Sequence, residues 1–266
     1  MATDFDLAFD EFSGELDALS EMAIGSGSSS ATALSPRARI AAGNGAMLLL
    51  AAIFEEHIRQ QVRSAFQVKS RMAADLSQFP DKIASVVWKR SLESLARKPF
   101  DEIEADTRAV DNIISSTLSF CLRKRSDADV SDRIAHNENN MRPAELNRLF
   151  NQIGFKNVVG AACERPDLIA FLGCDGAGKA NLEFVARLDD FFRRRNEVAH
   201  AIQIGSSSGP SELIRDIDLF RLFARSLAEA INDLISPAPV ALPPPLVRRS
   251  PRRSSPQTSG ESSQPN

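Results

Sequence analysis

The stretch FFRRRNEVAHA, residues 191–201, joins two phenylalanines to a strongly polar motif within about three helical turns. Upstream, Phe184 and Leu188 continue the apolar positions at the three- and four-residue steps of an amphipathic helix. The spacing therefore predicts a helix over roughly residues 180–203 that buries an aromatic face and turns its polar residues outward.

The polar part of this stretch reads Arg195-Asn196-x-x-x-His200, with Arg193 also on the outward side. Asn196 and His200 stand four residues apart, so they share one side of the helix. Arg195 lies about 140° around the axis from His200. Its long side chain, or a fraying helix end, would have to bring the two groups together.

The rest of the chain also favours helices, because no long run shows the alternation of a strand. Ser35 suits a helix N-cap and Pro36 a first helical turn. The sequence predicts an all-α fold with one bundle over residues 36–236. Its helices are expected over about residues 36–69, 80–98, 100–125, 142–154, 180–203 and 210–235, with irregular chain over 126–141.

The two ends of the chain differ in composition from the bundle. Residues 1–24 carry seven acidic residues and no Lys or Arg, with apolar residues at helical spacing, and predict an acidic amphipathic helix. Residues 25–35, rich in Gly and Ser, predict a flexible linker. Residues 237–266 hold eight of the fourteen prolines and four arginines, which is typical of a disordered tail. The net charge of −3 thus reflects the acidic helix and does not exclude a polyanionic partner.

Cysteine usage and hydropathy favour a soluble cytoplasmic protein with no membrane partner. The three cysteines are far apart and in no metal-ligand spacing, which indicates reduced thiols. The N-terminal segment is acidic, unlike a signal peptide. The most apolar run, residues 46–54, is too short to span a bilayer.

The stretch GCDGAGKA, residues 173–180, nearly matches a phosphate-binding loop. Gly173, Gly178 and Lys179 fit the pattern, but Ala180 replaces the hydroxyl that would hold magnesium. Such a loop also needs a preceding buried strand, and DLIAFLG is the only strand-like run nearby. We therefore interpret the stretch as a glycine-rich turn before a helix.

Arg-Asn-x-x-x-His late in a helical bundle resembles the signature of HEPN-domain ribonucleases, especially the RiboL-PSP-HEPN type. Three further stretches agree with the family's early helix, its middle segment, and its motif helix, loop and closing helix. They are MLLLAAIFEEHI (47–58), NNMRPAELNRLFNQIGF (139–155) and RRRNEVAHAIQIGSSSGPSELIRDIDLF (193–220). The resemblance covers roughly residues 36–236.

The resemblance implies a metal-independent endoribonuclease without a cofactor, working in toxin–antitoxin or antiphage defence. It implies a homodimer whose two motifs meet in one cleft, an RNA substrate, and an antitoxin or regulatory protein as a further partner. Arg195, Asn196 and His200 would be catalytic, with Arg193 and Arg194 in support. The acidic position of the early helix is Glu55, either a partner of the motif or a plain surface carboxylate.

The chemistry of RNA suits these residues. The 2′-hydroxyl can attack the adjacent phosphate, a histidine titrating near neutrality can move the protons, and an arginine can hold the charge that builds on phosphate oxygens. Of the other histidines, His57 is expected on a solvated helix face. His136 lies in the polar run RIAHNENN, either as a plain loop residue or as one that reaches RNA.

Two other functions fit the same sequence. The chain could be a non-catalytic helical module for interaction or dimerisation, or a HEPN fold whose catalysis is lost. The acidic N-terminal helix raises a further choice: it restrains the nuclease by competing with RNA for the arginines of the motif, serves as a handle for a partner, or completes the bundle away from the site.

Overall fold

The computed structural model describes residues 3–27, 34–137, 139–200 and 209–235, and within these ranges the chain forms helices and no strand. The predicted all-α fold class is confirmed. Most of the expected linker, the residues after His200 and the Pro-rich tail lie outside the described residues. The helices are α1 Asp4–Gly27, α2 Pro36–Met72, α3 Ile83–Ala96, α4 Phe100–Ala105, α5 Thr107–Cys121, α6 Ser131–Ala135, α7 Pro143–Gln152, α8 Val158–Ala162, α9 Pro166–Leu172, α10 Ala177–His200 and α11 Pro210–Ile235, with a short 3-10 helix at Leu76–Gln78.

Helix α2 is the central element, packed against α1, α6, α10 and α11. It begins as the sequence predicts, because the Ser35 hydroxyl accepts a hydrogen bond from the Ala38 N–H at 3.3 Å and Pro36 occupies the first turn. In its middle, Phe54 is fully buried and stacks on Phe220 of α11 with ring centroids 4.3 Å apart. The core therefore centres on the contact between α2 and α11.

Helix α1 packs on α2 and α11 through its apolar stripe. Gln61 donates a hydrogen bond to the Phe5 carbonyl at 3.4 Å, and the Phe12 ring lies on the His57 imidazole. These pairs occur in opposite order along the two helices, so α1 runs antiparallel to α2. The buried members of the stripe are Phe5, Phe12, Leu16, Leu19 and Ala23.

Two local predictions are wrong, and the one strand-like run is helical. The long helix expected over residues 100–125 is divided at Asp106, whose carboxylate accepts the Ala109 N–H at 3.0 Å and caps a new helix start. The stretch 126–141, expected to be irregular, contains α6. The strand-like run DLIAFLG forms most of α9, because Pro166 starts a helix there and Gly173 ends it in the left-handed conformation.

By length and composition alone, one helix in the described ranges, α2, could cross a membrane. The apolar run 46–54 is part of this 37-residue helix rather than a separate short segment. One face of α2 is buried inside the bundle, and a core helix of a water-soluble protein passes the same test.

Candidate functional site

Helix α10 carries the motif and is anchored by an aromatic face. Phe184 stacks on Phe223 of α11 at 4.1 Å between ring centroids, and Phe191 meets Phe220 edge-on at 4.7 Å. As predicted, Leu188 is buried with them. Arg195 and Asn196 follow Phe191 and Phe192 by one turn each, so they continue the packed side of α10 and are half-buried rather than facing outward as expected.

Arg195 and Asn196 are half-buried and joined to each other. The Arg195 Nη1 donates to the Asn196 Oδ1 at 3.2 Å, and the Nδ2 of Asn140 donates to the same oxygen at 3.0 Å. An amide oxygen has two lone pairs, so the acceptor capacity of Asn196 is used. The pair therefore has only N–H donors left to offer, and the Arg195 Nε is a buried donor without a hydrogen-bond partner in the structure.

Glu55 of α2 belongs to the same cluster. Its carboxylate accepts a hydrogen bond from the Met141 backbone N–H at 3.3 Å. Burial raises the pKa of Glu55 above its usual value, while that hydrogen bond and the charges of Arg59 and Arg195 oppose the rise. Glu55 is thus near enough to Arg195 to feel its charge, and it holds the chain segment that carries Asn140.

Asn140 is the site residue that the sequence did not single out. It lies in the segment between α6 and α7, and the next two residues are also tied down: Met141 to Glu55 of α2, and Arg142 to Asp189 of α10 by an ion pair of 3.1 Å. The segment thus spans α2 and α10. Its only signal in the sequence is its place in the stretch NNMR, which says nothing about contacts 56 residues away.

The two arginines preceding Arg195 are engaged with carboxylates. Arg193 is exposed and pairs with Asp190 and Glu197, each at 2.6 Å. The side chain of Arg194 is only 16% exposed and pairs with Asp190 and with Asp216 of α11, the latter at 3.0 Å. Arg194 therefore fastens α10 to α11, and the positive charge of both residues is largely compensated.

His200 is exposed and is the last described residue of α10. It follows Asn196 by one helical turn, so the two lie on the same side of the helix. The structure thus brings Arg195, Asn196 and Glu55 into one cluster and leaves His200 at the exposed helix end beside it.

The other histidines differ from one another in their surroundings. His57, expected on a solvated face, is only 5% exposed because α1 covers it, so this prediction is wrong. Burial lowers its pKa to about 4. His136 is exposed, as expected of a polar loop residue. In the glycine-rich turn, Lys179 is exposed and pairs with Asp175 at 2.7 Å.

Within the described ranges, no group of three or more His, Cys, Asp or Glu side chains is placed to hold a metal ion. The three cysteines are free thiols.

The described residues form an all-helical domain with an Arg-Asn-x-x-x-His motif on a late helix. The chain belongs to the RiboL-PSP-HEPN family, whose model matches residues 11–233. The match begins inside α1, further toward the N-terminus than the expected start at residue 36. HEPN domains are generally associated with ribonuclease activity, bind RNA and often dimerise. No curated protein and no solved structure matches the chain.

Proposed function

We propose that this protein is a metal-independent endoribonuclease that acts through Arg195, Asn196 and His200 on RNA in the cytoplasm. The observation that supports it most is the donor-only character of the Arg195–Asn196 pair. Both lone pairs of the Asn196 oxygen are occupied, so the pair presents N–H groups alone. Such a surface attracts an anionic oxygen and suits a phosphodiester.

In the proposed reaction, the 2′-oxygen of a ribose attacks the adjacent phosphorus and the bond from phosphorus to the 5′-oxygen breaks. A base takes the proton of the 2′-hydroxyl, and an acid gives one to the leaving oxygen. His200 supplies the imidazole of the motif, the side chain that takes up or gives a proton in this reaction. Arg195 stabilises the charge on the phosphate oxygens, and Asn196 donates to the phosphate or orients His200.

The residues of the motif supply this chemistry without a metal ion. A metal-dependent nuclease uses clustered carboxylates to hold its cations. Near the motif, Glu55 accepts a hydrogen bond from a backbone N–H, and the acidic residues around Arg193 and Arg194 form ion pairs with these arginines.

The experiment that tests the proposal is incubation of the purified full chain with total RNA in the presence of EDTA. Cleavage is expected, and His200→Ala should lower its rate by about 100-fold or more, the usual share of a general acid or base. Arg195→Ala should behave likewise, and Arg193→Ala should cost less because Arg193 is already paired with carboxylates.

The matched control is Arg187→Ala, which removes an arginine that pairs with Glu183 on the same helix. It should cleave RNA at the wild-type rate. Full activity in His200→Ala would overturn the catalytic assignment. Activity that EDTA abolishes and magnesium restores would indicate a metal nuclease, and no cleavage under either condition would leave a non-catalytic interaction module.

We further propose that the enzyme is a homodimer working in a toxin–antitoxin or antiphage setting, with an antitoxin or regulator as its protein partner. One chain brings one His200, whereas the reaction needs a base and an acid. A second copy would bring a second His200 and a second Arg195 to the same cleft.

A further inference from the structure

A groove between α1 and α2 lies outside the motif and has an unusual lining. Its cavity volume is about 410 Å³, within the range of roughly 300–1,000 Å³ typical of small-ligand pockets. Phe12 and Ile53 form an apolar floor, and Glu11 and Glu15 lie around it together with Glu56, which is paired with Arg59 and Arg63. The groove thus combines an apolar base with an acidic rim.

His57 also lines this groove and is left with an unsatisfied acceptor. Its side chain is 5% exposed, and its Nε2 has no hydrogen-bond partner in the structure. The Ala8 carbonyl accepts from the ring, and burial lowers the pKa of His57 to about 4, so the imidazole is neutral at pH 7. A neutral imidazole that donates through one nitrogen offers a lone pair on the other. A buried acceptor of this kind is satisfied by an N–H or O–H group.

The rim of the groove includes two carboxylates of α1, those of Glu11 and Glu15. Glu11 and Glu15 are exposed and one turn apart on the same face of α1, a helix that contains no Lys or Arg. Elsewhere on α1, Asp4 pairs with Arg71 and Asp17 with Arg221. Within the described ranges, neither Glu11 nor Glu15 has such an ion pair. Two neighbouring carboxylates without a cation repel each other and would be stabilised by one.

We propose that this groove binds a basic side chain, arginine or lysine, presented by a peptide segment of a partner protein. The aliphatic part of that side chain lies on Phe12 and Ile53, its charged head sits between Glu11 and Glu15, and an N–H group reaches the Nε2 of His57. The acidic rim repels nucleic acid, so the site is distinct in chemistry from the motif on α10. The inference does not depend on RNA cleavage.

The test is fluorescence anisotropy with the full chain and a short labelled peptide of alternating arginine and leucine. The wild type should bind it, and a peptide with glutamate in place of arginine should not bind. The double variant Glu11→Gln, Glu15→Gln should weaken binding about tenfold, since two exposed ion pairs together contribute on the order of that factor. Circular dichroism checks that each variant stays helical.

The matched control is Asp10→Asn, Glu21→Gln, which removes the same charge from α1 at positions outside the groove. It should bind the peptide as the wild type does. Equal weakening in both double variants would mean that only the general acidity of α1 attracts the peptide, and would overturn the site.

A second variant keeps the proposal testable if the glutamate changes are ambiguous. His57→Phe removes the acceptor while preserving an aromatic ring against Phe12, and it should weaken binding several-fold. Wild-type binding in His57→Phe would overturn the proposed site, because the unsatisfied nitrogen of His57 is what marks the groove as a binding site. No binding of the arginine peptide by the wild type, or tighter binding of RNA by the glutamine variant with no change for the peptide, would overturn the proposal altogether.

Discussion

At the residue scale, the cluster around Arg195 depends on a side chain from another part of the chain. Asn140 shares the oxygen of Asn196 with Arg195 and is held in place through the contact between Met141 and Glu55. Asn140 is thus a positioning residue: it fixes the rotamer of Asn196 without itself belonging to the motif.

Asn140→Ala tests this positioning role. One orienting hydrogen bond contributes about 1 kcal/mol, so kcat for RNA cleavage should fall by roughly fivefold while KM stays nearly constant. Steady-state kinetics on a defined RNA measures both. Asn151→Ala, at an exposed position of α7, is the control and should change neither. A rise in KM alone would assign Asn140 to RNA binding instead.

His57 makes a prediction about stability and pH. Its pKa is about 4 in the folded protein against an ordinary value of 6.5, so the unfolded chain binds the proton more tightly. Stability is therefore lost as pH falls from about 6.5 toward 4. Between pH 7 and pH 5 the loss amounts to about 2 kcal/mol.

Urea unfolding at the two pH values, by wild type and by His57→Phe, measures this contribution. The variant lacks the titrating ring, so its free energy of unfolding should fall by about 2 kcal/mol less over the same interval. Identical pH dependence in the two proteins would contradict a buried neutral histidine.

At the scale of elements, α1 is an integral part of the bundle. Its apolar stripe is covered by α2 and α11, and its carboxylates Asp4 and Asp17 pair with arginines of those helices. Arg193 and Arg194 pair instead with carboxylates on α10 and α11. Among the three roles considered for the acidic helix, this packing favours completion of the bundle over restraint of the motif.

Substitutions in the stripe should therefore destabilise the whole protein. Leu16 is fully buried, and Leu16→Ala should lower the free energy of unfolding by about 2–5 kcal/mol. Leu7→Ala is the matched control on the same helix, because Leu7 is 59% exposed, and it should change stability little. Thermal unfolding followed by circular dichroism compares the two.

Equal midpoints would mean that α1 is dispensable for stability. Faster RNA cleavage by a chain lacking residues 1–30 would restore the hypothesis that α1 restrains the nuclease.

At the scale of the whole molecule, the motif of one chain supplies only one Arg195 and one His200 for the proposed reaction. We expect a symmetric dimer packed through α10 and α11, with Arg195 and His200 of each copy lining a shared cleft. Light scattering at assay concentrations should give the mass of two chains, and specific activity should fall on dilution below the dissociation constant. A monomer with full activity would exclude the shared cleft.

Much of the fold could be predicted from local sequence. The apolar periodicity located α1, α2, α7, α10 and α11, and the start of α2 followed from the chemistry of Ser35 and Pro36. The errors arose where a single polar side chain overrode periodicity, as the cap at Asp106 did. Apolar periodicity does not predict a single side chain that hydrogen-bonds to the backbone and starts a new helix.

What the sequence by itself determined is the class of the fold, the helix that carries the motif, and which face of that helix is buried. These follow from spacing along the chain, which is a local property. Only the tertiary structure decided that Asn140 contacts Asn196, that Glu55 lies near enough to Arg195 to feel its charge, that Arg194 pairs with Asp216 of α11, and that α1 buries His57. Each of these depends on how distant helices pack, and packing is set by the summed complementarity of many side chains rather than by any short stretch.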